Sequence, residues 1–318
     1  MNSEEHATQL KQFREEVYQN FTKRADAIMD LLDALSSNSR ARSVVELSLE
    51  GCFRREHTSV FKAIAAYHPE WMRKSLVQLA ASHLPSLAKR SFWLLGVDTT
   101  PQPRLYAQTL QDRSYVYQPA AIRSNKPVTI GHCYSEVVLL PEREEQPGSA
   151  WVVPLSSQRV SSVEDKELVG AIQVNVLLDD PQLPFHDQLC VEVGDSSYSK
   201  PKYLFVNRPK SKLVTIARVR STRTFYRRVP ASSQHCSQGH PAWYGAAFSL
   251  QDPLTWPVPD ERVTTTITSR RGRGYRVEIE AWHNLLMRGK RKPVAIPMHL
   301  YPFTLVRIRL YNSKGDLA

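Results

Sequence analysis

The stretch Arg90-Ser-Phe-Trp-Leu-Leu-Gly-Val-Asp-Thr-Thr100 decides the fold of this chain. Residues 92–97 form a short, almost entirely apolar run, which Asp98 interrupts and Pro101 and Pro103 end. An apolar run between turn signals predicts a strand that is buried on both faces. An acid at the carboxyl end of such a strand lies at the rim of the sheet, where open α/β folds hold their chemistry.

A second stretch repeats the pattern. Leu189-Cys-Val-Glu-Val-Gly-Asp-Ser-Ser197 predicts a strand that ends on Asp195. Two strands that each bring one aspartate to the same rim would form a carboxylate pair suited to a divalent metal ion. We therefore expect Asp98 and Asp195 to lie side by side.

The size and composition are those of an ordinary globular protein. The chain has 318 residues, of which 42% are apolar and 23% charged, enough for two or three domains. No apolar run approaches the roughly 20 residues that cross a bilayer, and the polar N-terminus argues against a secretory signal. The four cysteines show no C-x-x-C spacing and suit a reducing compartment. We expect a cytoplasmic, nucleoid-associated bacterial protein without a membrane segment.

The net charge of +11 is unevenly distributed. Residues 1–90 carry a net charge of +2, residues 91–200 carry −6, and residues 201–318 carry +15. The acids thus collect around Asp98 and Asp195, and the last third is strongly basic. This polarity suits an enzyme that processes nucleic acid, although many basic proteins bind nothing in particular.

The pattern along the chain predicts three regions. Residues 1–90 show apolar positions at helical spacing, which predicts a bundle of four or five helices for DNA binding or dimerisation. Arg54, Arg55 and His57 fit a helix-turn-helix, but surface arginines on a packing bundle explain them equally well. Residues 91–228 predict an α/β core, with strands at 115–119, 129–140, 151–155 and 213–220, a helix at 164–178, and an ambiguous segment at 202–207.

The third region, residues 229–318, predicts a β-rich, basic insertion. Residues 230–259 contain several glycines and prolines and read as loop. Period-two alternation then predicts half-buried antiparallel strands with an arginine-rich solvent face, at residues 262–269, 275–282 and 303–310.

Four motifs together resemble those of the DDE-class insertion-sequence transposases, in particular the cyanobacterial type described as DDE superfamily endonucleases. They are residues 96–100, 151–155, 193–199 and 215–220. The resemblance covers nearly the whole chain and implies a ribonuclease-H-like mixed sheet core. It also implies cleavage and strand transfer of double-stranded DNA at terminal inverted repeats. By this resemblance Asp98 is the first catalytic, metal-binding acid and Asp195 the second.

The resemblance leaves one acid unassigned. In this group the third acid is a glutamate on a helix that follows the β-rich insertion, in a Tyr-x-x-Arg-x-x-x-Glu-x6-Lys pattern that has no match here. Glu278 and Glu280 lie in a segment with period-two alternation, which predicts a strand, so neither is assigned as the third acid. We therefore expect a copy that lacks its C-terminal part, and inactivity is one expected outcome for such a copy.

The resemblance also implies the cofactors and partners. Two Mg²⁺ or Mn²⁺ ions would flank the scissile phosphate, with Asp98 bridging both and Asp195 binding one. The basic residues expected to contact DNA follow the Asp195 strand or lie at hairpin ends, and a homodimer is possible. These residues are Arg218, Arg220, Arg223, Arg227, Arg228, Arg270, Arg271, Arg273, Lys290, Arg291 and Lys292.

Two alternatives stay open, and one metal site is disfavoured. The chain could be a non-catalytic remnant that binds the same DNA ends. The segment Gly194-Asp-Ser-Ser197 could instead carry a serine hydrolase with Ser196 as nucleophile, which needs a paired histidine and acid. His235, Cys236 and His240 offer too few ligands in one loop to predict a metal site.

Overall fold

The computed structural model describes residues 3–41, 43–84, 86–107, 109–117, 127–142, 152–229, 243–269, 272–290 and 295–317. It divides into two units, residues 1–86 with 180–186, and residues 87–179 with 187–318. The domain boundaries proposed at residues 90 and 228 remain predictions.

The first unit contains the expected helices. They are α1 (Ser3–Gln19), α2 (Ala25–Ser37), α3 (Val44–Leu47), α4 (His57–Ala66) and α5 (Pro69–Ser82). α5 starts at Pro69, and proline is favoured in the first turn of a helix because its missing N–H would have no intrahelical partner there. Asp30 on α2 is only 2% exposed, and both Arg54 and Arg55 pair with its carboxylate. These two arginines therefore have a structural role in the bundle, because a buried carboxylate needs a cationic partner.

The second unit is built on a mixed six-stranded sheet, as expected for a ribonuclease-H-like core. The strands are β1 (Trp93–Pro103), β2 (Ser114–Tyr117), β3 (Val128–Leu139), β4 (Val153–Val160), β5 (Cys190–Gly194) and β6 (Leu213–Ala217). They run in the order β2-β3-β1-β5-β6, and β4 also pairs with β3. β1 pairs in parallel with β5 and antiparallel with β3, and β5 pairs in parallel with β6.

β1 is longer than expected, because it continues beyond Asp98 to Pro103. Leu140 N donates to Leu94 O, and Arg104 N donates to Ile130 O. The backbone N–H and C=O groups of the even-numbered residues of β1 therefore point towards β3, and those of the odd-numbered residues point away from it. The nitrogens of Pro101 and Pro103 therefore point to the other edge, where β5 has already ended. A proline is tolerated there because no ladder hydrogen bond is lost.

Two helices complete the core. α6 (Lys166–Asp179) confirms the predicted helix, and it packs on β1, β3 and β4. α7 (Pro201–Asn207) decides the ambiguous segment in favour of helix. A Cβ atom on Gly170 of α6 would lie 3.1 Å from Cγ2 of Val97. The absence of a side chain at this position therefore lets the helix approach β1 closely.

A smaller pair of strands was not predicted. β7 (Thr224–Arg228) pairs with β8 (Tyr244–Ser249), although the sequence analysis assigned no strand to residues 224–228 and predicted a loop over residues 230–259. The reading was wrong because only one face of this ribbon is apolar. Its phenylalanines, Phe225 and Phe248, enter a core cluster with Trp282, Leu285, Met287 and Met298.

The three remaining strands confirm the period-two prediction. β9 (Glu261–Thr268), β10 (Gly274–Leu285) and β11 (Phe303–Tyr311) form an antiparallel sheet with β10 in the centre. The expected arginine-rich solvent face is not a free cationic surface. Arg262 and Arg307 pair with Glu280 of β10. Arg276 and Arg309 pair with Glu278 of the same strand. The opposite face exposes the aliphatic side chains of Val263, Ile267, Val306 and Ile308, together with Thr265 and Glu261.

Candidate active site

The register of the two parallel strands brings the predicted aspartates together. Val97 of β1 lies opposite Gly194 of β5, and this pair ends the parallel ladder. Asp98 and Asp195 are the next residue on each strand. Residues in register on parallel strands project from the same face, so both carboxylates leave the sheet at one edge. Both side chains are exposed.

Each aspartate is oriented by a backbone N–H group. Thr99 N donates to Oδ1 of Asp98 at 2.7 Å, and Ser197 N donates to Oδ1 of Asp195 at 2.7 Å. The bond at Asp195 starts a turn in which Tyr198 N also donates to the backbone oxygen of Asp195. Within the described chain, Oδ2 of Asp98 and Oδ2 of Asp195 accept no hydrogen bond, so these two oxygens are available to a ligand.

A third carboxylate, which the sequence did not reveal, lies across the sheet. Glu136 of β3 is directly opposite Asp98 in the antiparallel ladder and therefore lies on the same face. It accepts a hydrogen bond of 2.9 Å from the hydroxyl of Thr100. Only the pairing of β3 with β1 locates this residue, and a sequence pattern contains no signal for that register.

Glu136 and both aspartates line one cavity of about 450 Å³. Its floor is small and apolar, and consists of Gly96, Val138 and Val193. As they stand, no three histidines, cysteines or acids of the described residues surround one point at metal-binding distance, and Glu136 is turned to Thr100. The donors are nevertheless all carboxylate oxygens, which Mg²⁺ and Mn²⁺ prefer. The ligand type of these three side chains therefore suits such an ion.

Tyr198 lies beneath the Asp195 strand. A Cβ atom on Gly194 would come within 2.9 Å of three Tyr198 side-chain atoms, so the glycine makes room for the ring. Burial raises the pKa of Tyr198, and the charges of Asp98 and Asp195 raise it further. The hydroxyl is buried and has no hydrogen-bond partner among the described residues. Tyr198 therefore stays protonated beside the carboxylate edge.

Glu192 anchors the strand that carries Asp195. Its buried carboxylate accepts hydrogen bonds from Tyr203 at 2.8 Å and Asn207 at 2.7 Å, both on α7, and from Thr215 on β6. Burial raises the pKa of Glu192, because the charged form loses its water, and the three hydrogen bonds lower it only in part. The carboxylate therefore links β5 to α7 and to β6.

Two of the predicted DNA contacts lie next to the carboxylate edge. Arg218 directly follows β6, and its backbone N–H donates to the oxygen of Gly194. Arg220 donates from Nε to Oγ of Ser196 at 3.1 Å. Both side chains are exposed, so they place positive charge beside Asp195.

The other predicted DNA contacts differ in their surroundings. Arg227 forms a two-pronged ion pair with Asp260, and its hydrogen bond lowers the pKa of that carboxyl, helped by the backbone N–H of His283. Arg223 is half-buried. Arg228, Arg273 and Lys290 are exposed. Arg270, Arg271, Arg291 and Lys292 lie outside the described residues.

The geometry does not favour the serine hydrolase. The described partner of the Ser196 hydroxyl is Arg220, a donor that cannot act as a general base. His283 contacts Thr304 and Glu261, and the ring of His299 stacks on Trp243 at 4.0 Å. Neither histidine has a described contact with Ser196. His235 and His240, with Cys236, lie outside the described residues.

Similarity to a known protein family agrees with this geometry. The family model of the DDE superfamily endonucleases matches residues 16–287, which is most of the chain. No curated protein matches the sequence significantly. Among the helices of the described residues, none combines the length and the apolar character that a membrane span requires.

Proposed function

The chain belongs to the DDE superfamily endonucleases, and on that premise we propose that it is a transposase that cuts DNA with Asp98 and Asp195. The observation that supports this most directly is the register of β1 and β5, which places both aspartates at one edge above a common cavity. A pair of exposed carboxylates at the end of parallel strands is the arrangement that divalent metal chemistry requires.

The proposed chemistry is hydrolysis of a phosphodiester bond. When bound, two Mg²⁺ or Mn²⁺ ions supply an activated water molecule and stabilise the leaving oxygen. Asp98, in the middle of the sheet, and Asp195 would hold these ions through their carboxylate oxygens. Arg218 and Arg220 hold the phosphates that flank the scissile bond, because their cationic groups lie beside Asp195.

We propose Glu136 as the third acid of the site. It is the described carboxylate that lines the cavity together with both aspartates, and its bond to Thr100 is one that a rotation of the side chain breaks. In this role it adds a third oxygen ligand on the side of β3.

The substrate we propose is double-stranded DNA at the terminal inverted repeats of an insertion sequence. In strand transfer a DNA 3′-hydroxyl would replace water as the nucleophile. It would form a new O–P bond to a phosphate of the target DNA, and the bond from that phosphorus to the target's own 3′-oxygen would break. The strongly basic residues 201–318 would hold the flanking DNA, and two copies of the chain would hold the two ends. The reaction takes place on chromosomal DNA in the cytoplasm.

The test uses the full chain and a labelled duplex that carries the inverted repeat, with Mg²⁺ or Mn²⁺. Asp98→Asn and Asp195→Asn should each lower the cleavage rate at least about 100-fold and leave DNA binding unchanged, because they remove ligands and not cationic contacts. Glu136→Gln should lower it about 10-fold or more. The matched control is Asp187→Asn at an exposed turn residue with φ 57°, a conformation that asparagine accepts.

A second candidate is the non-catalytic DNA-binding remnant. The observation in its favour is that no described trio of ligands stands ready to hold a metal ion. Under this alternative the wild-type chain binds the repeat and does not cut it in either metal. Cleavage that persists in both Asp98→Asn and Asp195→Asn would instead show that the carboxylate pair is not the site.

A further inference from the structure

The face of the core sheet that carries the acids continues beyond the cavity to the edge strand β2. On this face Asp98 of β1 lies opposite Glu136 of β3. Ile130, six residues before Glu136 on β3, lies opposite Tyr115 of β2. Side chains at even spacing along a strand project from the same face, so Tyr115 and Tyr117 share a face with the acids. α6 packs on the other face, against odd-numbered residues of β1 and β3.

The two tyrosines of β2 are exposed, although the strand itself is anchored. Tyr115 is 83% exposed and Tyr117 is 55% exposed, whereas Val116 between them is buried on the other face. Tyr134 of β3 lies on the acid-bearing face, opposite Thr100, and is half-buried. Within the described chain, the side chains of these three tyrosines form no hydrogen bond and no contact with another aromatic ring. Exposed aromatic rings gathered on one face indicate a binding surface.

The spacing of the three rings suits nucleic acid bases. Tyr115 and Tyr117 are two residues apart, which corresponds to about 6.8 Å along a strand. Stacked bases are about 3.4 Å apart, so one base fits between two rings at this spacing. Tyr134 is two residues from Glu136, and Tyr115 lies about 20 Å from the acids along the sheet. The rings therefore form a row that leads away from the cavity.

The charge at this end of the sheet suits a phosphate backbone. Arg104 directly follows β1 and Arg113 directly precedes β2, and both side chains are exposed. Residues 102–117 contain one acid, Asp112, which forms an ion pair of 3.1 Å with Arg159 of β4. The surface around the exposed tyrosines is therefore cationic, whereas the cavity holds three acids. An anionic partner with flat aromatic groups fits this surface.

An unpaired DNA strand has these properties, and a duplex has only one of them. In a duplex the bases are stacked on one another and present only their edges in the grooves. The bases of a single strand expose their faces, which stack on aromatic side chains. Open sheets with exposed aromatic rings bind single-stranded nucleic acid in this way. The stacking of one base on an aromatic ring contributes about as much free energy as opening one base-pair step of DNA costs.

We propose that Tyr134, Tyr115 and Tyr117, which we call the tyrosine row, bind single-stranded DNA. The bases stack on the three rings, and Arg104 and Arg113 hold the phosphates. Because the tyrosine row starts beside the carboxylates, the bound bases are those next to the scissile phosphate. The proposal rests on the DNA substrate of the proposed function and adds that this substrate is unpaired on one side of the cleavage position.

The test measures binding of a labelled oligothymidylate of about 12 nucleotides to the full chain, by fluorescence anisotropy in EDTA. Tyr115→Ala and Tyr117→Ala should each weaken binding at least about fivefold, because each removes the stacking surface of a base. Tyr115→Phe and Tyr117→Phe should keep the wild-type affinity, because stacking needs the ring and not the hydroxyl. Leu254→Ala is the matched control, because this apolar side chain is 96% exposed and lies outside the tyrosine row.

A duplex of the same length separates the tyrosine row from general attraction to DNA. Both alanine variants should bind the duplex as tightly as the wild type and should have its circular dichroism, because the two positions are more than half exposed. Equal losses for single-stranded and duplex DNA, or no loss in either alanine variant, overturn the proposal. A wild-type chain that does not bind the oligothymidylate also overturns it.

Photo-crosslinking locates the bound strand directly. An oligonucleotide that contains 5-iodouracil should crosslink within residues 115–117, as mapped by mass spectrometry, and crosslinks confined to other parts of the chain overturn the proposal. Neither experiment contains a divalent metal ion. Failure of the tyrosine row is therefore distinct from failure of the proposed cleavage, which Asp98→Asn and Asp195→Asn test on a duplex with metal.

Discussion

At the scale of single residues, Gly194 decides whether Tyr198 can lie beneath the Asp195 strand. We predict that Gly194→Ala lowers the free energy of unfolding by about 1–3 kcal/mol, because the added methyl meets the Tyr198 ring at 2.9 Å. Urea unfolding followed by circular dichroism measures the change. Gly274→Ala is the control, since no atom lies within 4 Å of its Cβ position, and equal losses in both variants would contradict the steric explanation.

The residue scale also shows what the sequence could predict about the site. Asp98 and Asp195 were predictable because each directly follows a short apolar run, and the structure places both at the end of one parallel ladder. Glu136 was not predictable, because its relation to Asp98 depends on how β3 aligns with β1. Register is set by tertiary packing and by turns far from either residue. The roles of all three acids remain predictions.

At the scale of elements, Glu192 links β5 to α7 and β6. Its folded-state pKa is raised, so the protonated form is favoured by folding. We predict that the contribution of this group to stability is fully present below its unfolded pKa and is lost as the pH rises through the folded pKa. Urea unfolding at several pH values from about 4 to 8 measures the slope.

The control for this prediction separates Glu192 from the other acids. Glu192→Gln cannot titrate, so its stability should fall less than that of the wild type over the same rise in pH. Glu164→Gln, at an exposed position before α6, should keep the slope of the wild type. If Glu192→Gln also keeps that slope, the carboxyl titrates at its ordinary pKa in the folded protein.

The helices and strands differ in how clearly the sequence pattern of each one predicts it. The strands β9 to β11 were predictable, because their apolar residues alternate with period two. α6 was predictable because it is a longer, largely apolar segment that ends in Asp179-Asp-Pro181. α7 has seven residues and reads equally as a strand. β7 and β8 were missed because arginines and glycine obscure their single apolar face, and β1 was predicted too short because its prolines lie at an edge.

At the scale of the whole molecule, the distribution of positive charge governs DNA binding. We predict that replacing Arg218, Arg220 and Arg228 together by glutamine reduces the slope of log K against log salt by about 2–3, since each lost phosphate contact removes about 0.9. Fluorescence anisotropy with a labelled duplex at several salt concentrations measures the slope. The reason is that all three side chains are exposed.

Arg227→Gln provides the matched comparison for the triple variant. Its guanidinium is already neutralised by Asp260, so the slope should change by less than about 1. Circular dichroism must show that both variants are folded. A slope equal to that of the wild type in the triple variant would place the phosphate contacts elsewhere on the chain.

The separation of the two aspartates along the chain also determines when the site can assemble during protein synthesis. Asp98 leaves the ribosome 97 residues before Asp195, which at roughly 5–20 residues per second is a delay of about 5–20 seconds. During that interval β3, β4 and α6 can form, but β1 has no parallel neighbour. A chain that ends before Asp195 thus lacks one of the two proposed metal-binding aspartates and the strand that carries it, so we expect that it cannot cut the cell's chromosome.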